Sequence, residues 1–316
     1  MVELSVVVPA YNSEACLAEL NRQVADALRG RSYELILVDD RSTDNSWDVI
    51  KRLCGQDTSL TGIRLRKNAG QDNAILCGLR KARGEFVVIM DDDLQHSPYD
   101  IHRLHEHCLT YDLDACYARF SIHKHAWWKR AGSWLNGKLA EAVIAKPKNL
   151  YLSPFKIVRK EVVAEVIKYT GAFPYVDGLI LNITHALGQV EAVHNARYRG
   201  KSNFGLAKSV LVFMRVATGF SVWPLRFSAG VGMVCSVCGF MLALFYLLQY
   251  TLRDRRVEGW ATLVILQLII GGVLLFSIGL VGEYLGRLYL NSNGKPQATI
   301  KEVCSGERPC SPEEEA

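Results

Sequence analysis

Along the first two hundred residues, the hydrophobic positions switch repeatedly between a short continuous pattern and a helical one. LSVVVP is an apolar run of strand length. Over residues 13–29, Leu17, Leu20, Val24 and Leu28 recur on one helical stripe, and Gly30 ends it. YELILVDD predicts a second strand and SWDVIKRLC a short helix ending at Gly55. GIRLRKN predicts a third strand, GQDNAILCGLRKAR a helix stopped by Gly84, and EFVVIMDDD a fourth strand. Short apolar strands alternating with helices imply right-handed crossovers and a mostly parallel α/β sheet of Rossmann type. Ligands of such sheets bind beyond the carboxyl ends of the strands. Three polar clusters fall at those ends: Pro9-Ala10-Tyr11-Asn12, Asp39-Asp40 and Asp91-Asp92-Asp93.

Near residue 226 the pattern changes. No residue is charged from Phe227 to Leu252, nor from Gly259 to Gly282. At about 1.5 Å per residue, each run is long enough for a helix through the roughly 30 Å of bilayer hydrocarbon. The short connection TLRDRRVE makes the pair a hairpin with both flanks on one side. Lys208, Arg215, Arg226, Arg287, Lys295 and Lys301 on the flanks outnumber Arg253, Arg255 and Arg256 in the loop. That bias predicts cytoplasmic flanks and a short external loop. The start of the chain has no basic segment followed by an apolar one, so no signal peptide is expected. The expected plan is a cytoplasmic domain at 1–208, a juxtamembrane amphipathic segment at 209–226, spans at 227–252 and 259–282, a loop at 253–258 and a cytoplasmic tail at 283–316.

Composition narrows the picture modestly. The chain has 316 residues, 49% of them hydrophobic, and a formal charge of +5, too small to indicate nucleic acid as a partner. The nine cysteines show no secreted disulfide framework and are expected to be reduced. Cys235 and Cys238 fall in an apolar run, where they read as small packing residues. His102, His105, His107, His123 and His125 match no zinc spacing and are expected to face solvent.

The chemistry concentrates in VVIMDDDLQHSP. Hard divalent cations take carboxylate oxygens and bind substrate phosphates at the same time. On an extended segment alternate side chains share a face, so Asp91 and Asp93 would reach one ion or nucleotide while Asp92 points elsewhere. A cation would also offset the mutual repulsion of the carboxylates. Asp40, at the end of the second strand, can accept a hydrogen bond from a nucleobase N–H. Asp44 or Ser42 is available to cap the helix that follows. Arg119, Lys129 and Arg130 surround a segment with Trp127, Trp128 and Trp134, residue types suited to a membrane interface and to lipid phosphates. NARYRGKSNFG, with glycines and cations together, suits a phosphate-gripping lid.

With these motifs in order, the chain resembles the family 2 glycosyltransferases of GT-A fold. More narrowly it resembles the polyisoprenyl-phosphate branch, in its bacterial form with two C-terminal spans. The matching pieces are VVVPAYNSE, LVDDRSTDNS, KNAGQDNAI, DDDLQHSP, RYRGKSNF, WPLR before the first span and GEYLGRLY after the second. The resemblance implies that Pro9, Tyr11 and Glu14 line a nucleotide pocket and that Asp40 contacts the base. It implies that Asp91 and Asp93, helped by Gln95, hold Mg2+ or Mn2+ and the donor diphosphate. Arg119, Lys129 and Arg130 would grip the lipid phosphate, and Arg197 and Ser202 would belong to the lid. The implied reaction is inverting transfer of a sugar from a nucleotide sugar, a UDP-sugar being favoured by analogy, to a polyisoprenyl phosphate such as undecaprenyl phosphate. The setting would be the cytoplasmic face of an inner membrane, the product would serve cell-envelope or lipopolysaccharide modification, and a homo-oligomer is open. Rival readings are a processive polysaccharide synthase, whose Q-x-x-R-W motif the chain lacks, and a catalytically inactive membrane scaffold.

The chain departs from the family pattern in informative places. Arg41 replaces the usual glycine of D-G-S, so a different turn is expected there. Asp92 replaces a small residue, and Asn203 stands where many members carry lysine. Leu150, Tyr151 and Leu152 occupy the region where several bacterial members carry an aspartate proposed as general base. A lipid monophosphate is already an anion near neutrality, so it needs positioning more than deprotonation. Asp177, in FPYVDG, is a candidate to orient the sugar or acceptor.

Overall fold

The computed structural model describes residues 2–120, 147, 150–171, 173–192, 223–253, 259–293, 296, 298–306 and 308–311. The chain forms two units, one of Met1–Asn203 with Gly294–Ala316 and one of Phe204–Asn293.

In the first unit, β1 (Leu4–Ala10) is buried at every position, as a strand covered on both faces must be. α1 (Leu17–Ala27) buries Leu17, Leu20 and Val24, and Gly30 turns the chain at φ 85°, a left-handed conformation that favours glycine. β2 (Tyr33–Asp39), α2 (Ser46–Cys54), β3 (Leu60–Leu65), α3 (Gln71–Lys81) and β4 (Phe86–Ile89) follow in the expected alternation. β1 pairs in parallel with β2 and β4, and β2 pairs in parallel with β3. The carboxyl ends of these strands therefore share one edge.

Beyond β4 the sheet becomes mixed. α4 (Ile101–Thr110) leads to β5 (Ala115–Phe120). β6 (Lys156–Arg159) runs antiparallel to both β4 and β5. α5 (Lys160–Val166) and α6 (Val176–Ile183) precede β7 (Leu187–Ala192), which is parallel to β5. The segment expected as a tail supplies two more strands. β8 (Ile300–Ser305) pairs antiparallel with β3, and β9 (Arg308–Ser311) pairs with β8. The sheet order is β7-β5-β6-β4-β1-β2-β3-β8-β9. β8 covers what would otherwise be the open edge of β3. Trp47 Nε1 donates to Glu302 Oε2 at 3.0 Å and the Cys54 and Cys304 sulfurs lie 2.9 Å apart, fastening β8 to α2.

One expected solvent-facing histidine is buried. His105 lies on the inner face of α4 with Ile101, Leu104 and Cys108. Its ring meets Phe86 edge-on at 4.8 Å, and its Nδ1 accepts from Arg31 at 2.9 Å. Burial and the adjacent Arg31 charge push its pKa down. His102 Nε2 lies 2.6 Å from the Ala27 carbonyl oxygen, and His123 and His125 fall outside the described residues.

In the second unit, α7 (Trp223–Arg253) encloses the first expected span, and α8 (Trp260–Ser292) covers the second from its second residue onward. Both are long and apolar enough to cross a membrane. Their most apolar stretches, Leu225–Leu242 and Ile269–Ser292, have mean hydropathies of 1.6 and 1.8 and are only 6% buried within the chain. Surface of that kind is costly in water and stable against lipid. Cys235 and Cys238 are free thiols on α7.

A single methyl tests how β8 is seated. A Cβ on Gly62 of β3 would come within 2.4 Å of Ile50 Cγ2 and 2.7 Å of Cys304 Sγ. Gly62→Ala is expected to lower stability by about 1–3 kcal/mol through overpacking, read as a reduced denaturation midpoint of the solubilised protein.

Candidate active site

A cavity of about 360 Å³ opens at the carboxyl edge of the parallel strands, lined by Pro9, Ala10, Tyr11, Asp40, Asn68, Gly70, Gln71, Asp91, Asp92 and Asp93. Its walls are four loops tied to one another by hydrogen bonds. After β1, Asn12 N donates to Ser42 Oγ at 3.0 Å, and Asn12 Oδ1 accepts from Thr43 N at 2.8 Å. After β2, Asp40 Oδ1 and Oδ2 accept from Ala69 N at 2.6 Å and Gly70 N at 2.9 Å, at the start of α3. From α3, Gln71 Nε2 donates to Asp91 Oδ1 at 2.7 Å. After β4, Asp92 Oδ2 accepts from Tyr11 N at 3.2 Å and from Ser13 Oγ, returning to the β1 loop. The ring closes on itself.

Backbone strain marks the same loops. Asn12 (φ 55°), Arg41 (φ 59°) and Leu94 (φ 61°) follow β1, β2 and β4 in the left-handed region. Each such conformation costs on the order of 1–3 kcal/mol and persists only where surrounding contacts impose it. Arg41 therefore adopts a left-handed conformation of the kind that glycine favours. Asp39 Oδ1, accepting from Ser42 N at 3.0 Å, holds it. Asp39 also faces Arg64, with Nε 3.4 Å from Oδ2, as an ion pair rather than an aligned hydrogen bond. Asp44 Oδ1 accepts from both Ser46 N at 3.0 Å and Ser46 Oγ at 2.6 Å at the start of α2.

The lining has an unusual electrostatic character. Among the described lining residues there are four carboxylates and no cation. Removal from water pushes the Asp91 carboxyl up to about 7, helped by the Asp93 and Asp92 charges, against the nearby Lys156 and the Gln71 bond. Burial also raises Asp92 and Asp40, although each accepts hydrogen bonds that favour its charged form. Such a set is uncomfortable alone and fits a hard divalent cation, whose preferred donors are carboxylate oxygens. Among the described residues no three His, Cys, Asp or Glu side chains converge tightly enough to enclose an ion. A Mg2+-like ion would take one or two of these carboxylates, with water and substrate phosphate completing its shell.

The sequence-predicted residues divide clearly. Pro9, Tyr11, Asp40, Asp91 and Asp93 come together at the cavity, and Asp92 joins them. β4 ends at Ile89, so the acidic triplet sits in a bend and strand alternation does not sort its members. Asp92, expected to point elsewhere, lines the same cavity, and its Oδ2 is taken by the β1 loop. Glu14 stands outside the lining: its Oε2 accepts from Asn45 N at 3.1 Å, at the start of α2. Gln95 is also outside, with its N–H donating to Asp93 Oδ1 at 3.1 Å. Arg119 is exposed near the end of β5. Asp177 lies in the first turn of α6 and pairs with Lys156. Lys129, Arg130, Arg197 and Ser202 lie outside the described residues. Leu150 is buried, and Tyr151 N donates to Gln189 Oε1 at 3.2 Å. Sequence reasoning gave no role to Asn68, Gly70 and Gln71, although KNAGQDNAI marks their place.

A mixed but mostly parallel α/β sheet, an acidic cavity at its carboxyl edge and two apolar helices define a GT-A-like enzyme associated with a membrane. Residues 5–167, just over half of the chain, match the model of glycosyl transferase family 2, and residues 223–288 match the GtrB C-terminal hairpin. The chain belongs to glycosyl transferase family 2. Similar curated proteins include undecaprenyl-phosphate 4-deoxy-4-formamido-L-arabinose transferases. The one from Aeromonas hydrophila is 29% identical over 306 residues, covering 95% of this chain and 93% of that protein. The one from Proteus mirabilis is 26% identical over 318 residues, covering 99% and 97%. The fold is similar to glucosyl-3-phosphoglycerate synthase from Mycobacterium tuberculosis. Its crystal structure with Mn2+, UDP and glucosyl-3-phosphoglycerate has a TM-score of 0.51 and 20% identity, covering 69% of this chain and 78% of that one.

Two outcomes follow from the geometry. Without metal, folded Asp91 keeps its proton up to about pH 7, whereas the unfolded group releases it near the ordinary 3.8. The folded state then binds more protons, so this group's contribution is largest at low pH and is lost as pH rises towards 7. Asp91→Asn is expected to flatten that decline in metal-free thermal melts, and Mn2+ affinity of the unaltered protein should rise between about pH 6 and 8. Asp92→Ala opens the hydrogen-bonded ring and should raise the donor KM by about tenfold, measured by initial rates.

Proposed function

We propose that the chain transfers a sugar from a nucleotide sugar, a UDP-sugar being favoured, to a polyisoprenyl phosphate such as undecaprenyl phosphate. The observation that carries this reading is a cavity at the carboxyl edge of the sheet whose charged lining residues, among those described, are all carboxylates, in a chain that also has a bilayer-length apolar hairpin. An anionic diphosphate can enter such a cavity only with a cation between. Relatives named as undecaprenyl-phosphate transferases, matched over nearly their whole length, support the lipid acceptor. The Mn2+ and UDP present in the glucosyl-3-phosphoglycerate synthase complex support the donor class.

In this reading Asp91 and Asp93 hold Mg2+ or Mn2+, with Gln95 assisting through the Asp93 turn. The bound ion would offset diphosphate charge and ease its departure. Pro9 and Tyr11 flank the nucleotide, with Glu14 bracing the loop they stand on. Asp40 meets the base with lone pairs beyond those given to Ala69 and Gly70. Arg119, Lys129 and Arg130 take the lipid phosphate, and Arg197 with Ser202 closes over the donor. An acceptor phosphate oxygen forms a bond to the anomeric carbon as the bond to the diphosphate oxygen breaks. The electron pair leaves with the nucleoside diphosphate, and configuration inverts. The acceptor is already an anion, so no general base is required. The catalytic domain faces the cytoplasm and the hairpin anchors it in the inner membrane. The product would serve envelope glycan or lipopolysaccharide modification.

The test is direct. Purified protein with Mn2+ or Mg2+, undecaprenyl phosphate and a panel of nucleotide sugars should yield a glycolipid detectable by mass spectrometry. Asp93→Ala should lower its formation by about 10²-fold or more. No product from any donor would sink the reading.

A further inference from the structure

A second charged cluster lies one hydrogen bond away from the cavity. Lys156, at the start of β6, is 3% exposed, and its ammonium pairs with Asp177 Oδ1 in the first turn of α6. Among the described residues it is the only buried lysine. The same ammonium lies 5.5 Å from the centre of the buried Tyr117 ring. Asp72, in the first turn of α3, accepts from Val176 N at 3.1 Å and so fixes the residue before Asp177. Its neighbour Gln71 holds Asp91. Across the sheet, Lys156 is the register partner of Ile89, two residues before Asp91. α3 and β6 thus connect Asp177 to the acidic bend by two independent routes.

Burying an ammonium is expensive, and a well-packed apolar pair often serves stability as well or better. A charge retained here, beside a reactive pocket, calls for a use. Lys156 and the buried Tyr117 hydroxyl both face the Asp177 carboxylate, which can accept up to about four hydrogen bonds and so has further lone pairs to offer. The Asp177 side chain stands outside the cavity lining and is 16% exposed, so part of it reaches the surface.

We propose that Lys156 is a positioning residue, which aims the Asp177 carboxylate to accept a hydrogen bond from a hydroxyl of the transferred sugar. This rests on the nucleotide-sugar reading above. Lys156 touches neither donor nor acceptor. It sets the direction of a carboxylate that grips the sugar, while the nucleoside diphosphate is held separately by the Asp91–Asp93 bend. Misplacing a reacting group by an ångström can cost on the order of 10²-fold in rate.

The experiment compares Lys156→Met, Lys156→Arg, Asp177→Asn and the double variant Lys156→Met/Asp177→Asn. Glycolipid formation and calorimetric binding of UDP with Mn2+ are both measured. Lys156→Met and Asp177→Asn should each lower kcat by about 10²-fold while UDP affinity, measured at saturating Mn2+, changes by less than about tenfold, because UDP carries no sugar and Lys156 reaches Asp91 only as a nearby charge. Lys156→Arg, which keeps a cation, should recover part of the rate. The double variant should be no slower than Asp177→Asn alone. Should Lys156→Met fail to fold, the double variant removes both charges together, and its comparison with Asp177→Asn decides. Lys156→Met turning over at the unaltered rate, a parallel loss of UDP binding, or a double variant much slower than Asp177→Asn would overturn the proposal. An unaltered protein that binds UDP but forms no glycolipid would instead defeat the reading on which it rests.

Discussion

Like charges held together at one end of a sheet repel, and the site depends on how that repulsion is contained. Asp40, Asp91, Asp92 and Asp93 share a cavity wall, and each accepts an N–H or O–H from a neighbouring loop or turn. These donors stand in for the water that burial removes. They also tie the loops after β1, β2 and β4 to the start of α3, so the carboxylates keep their directions before any cation arrives. The left-handed residues Asn12, Arg41 and Leu94 are the corollary. A loop that must both turn off a strand and present its donors to a neighbour has few backbone conformations left.

Where local pattern and structure coincide, the cause is short-range. β1 to β4 and α1 to α3 were legible because their apolar spacing is regular and their stops are glycines. The hairpin was legible because long uncharged runs have few other uses. Asp40 and the Asp91–Asp93 triplet were legible because carboxylates at strand ends in such a sheet face its ligand edge. The illegible parts depend on partners far away in sequence. β6 is four residues long, KIVR, with charged residues at both ends, and only its neighbours β4 and β5 make it a strand. β8 carries Lys301 and Glu302 and finds its place through β3, far earlier in the chain. Gln71 and Lys156 have no motif to announce them, because their roles arise from α3 and β6 lying beside the bend. His105 could have been found: it occupies the i+4 position from Ile101, on the same face as Leu104 and Cys108.

Two kinds of carboxylate therefore coexist within a short distance. Those of the bend are left short of positive charge and suit a ligand that brings its own. Asp177 has a permanent cation in Lys156 and needs none. Proximity alone would have grouped them, yet their surroundings prepare them for different partners. Burial and neighbouring charge, more than residue type, set what a carboxylate can do.

The placement of β8 bears on how the protein is made. The chain completes β3, passes through both apolar helices, and only then supplies the strand that covers the β3 edge. During synthesis that edge stays unpaired, an invitation to adventitious strand pairing, until the hairpin has left the ribosome. Completion of the sheet is thus postponed past the segment destined for lipid. A shortened chain ending before Trp223, made to obtain a soluble enzyme, would permanently lack the strand that closes this edge.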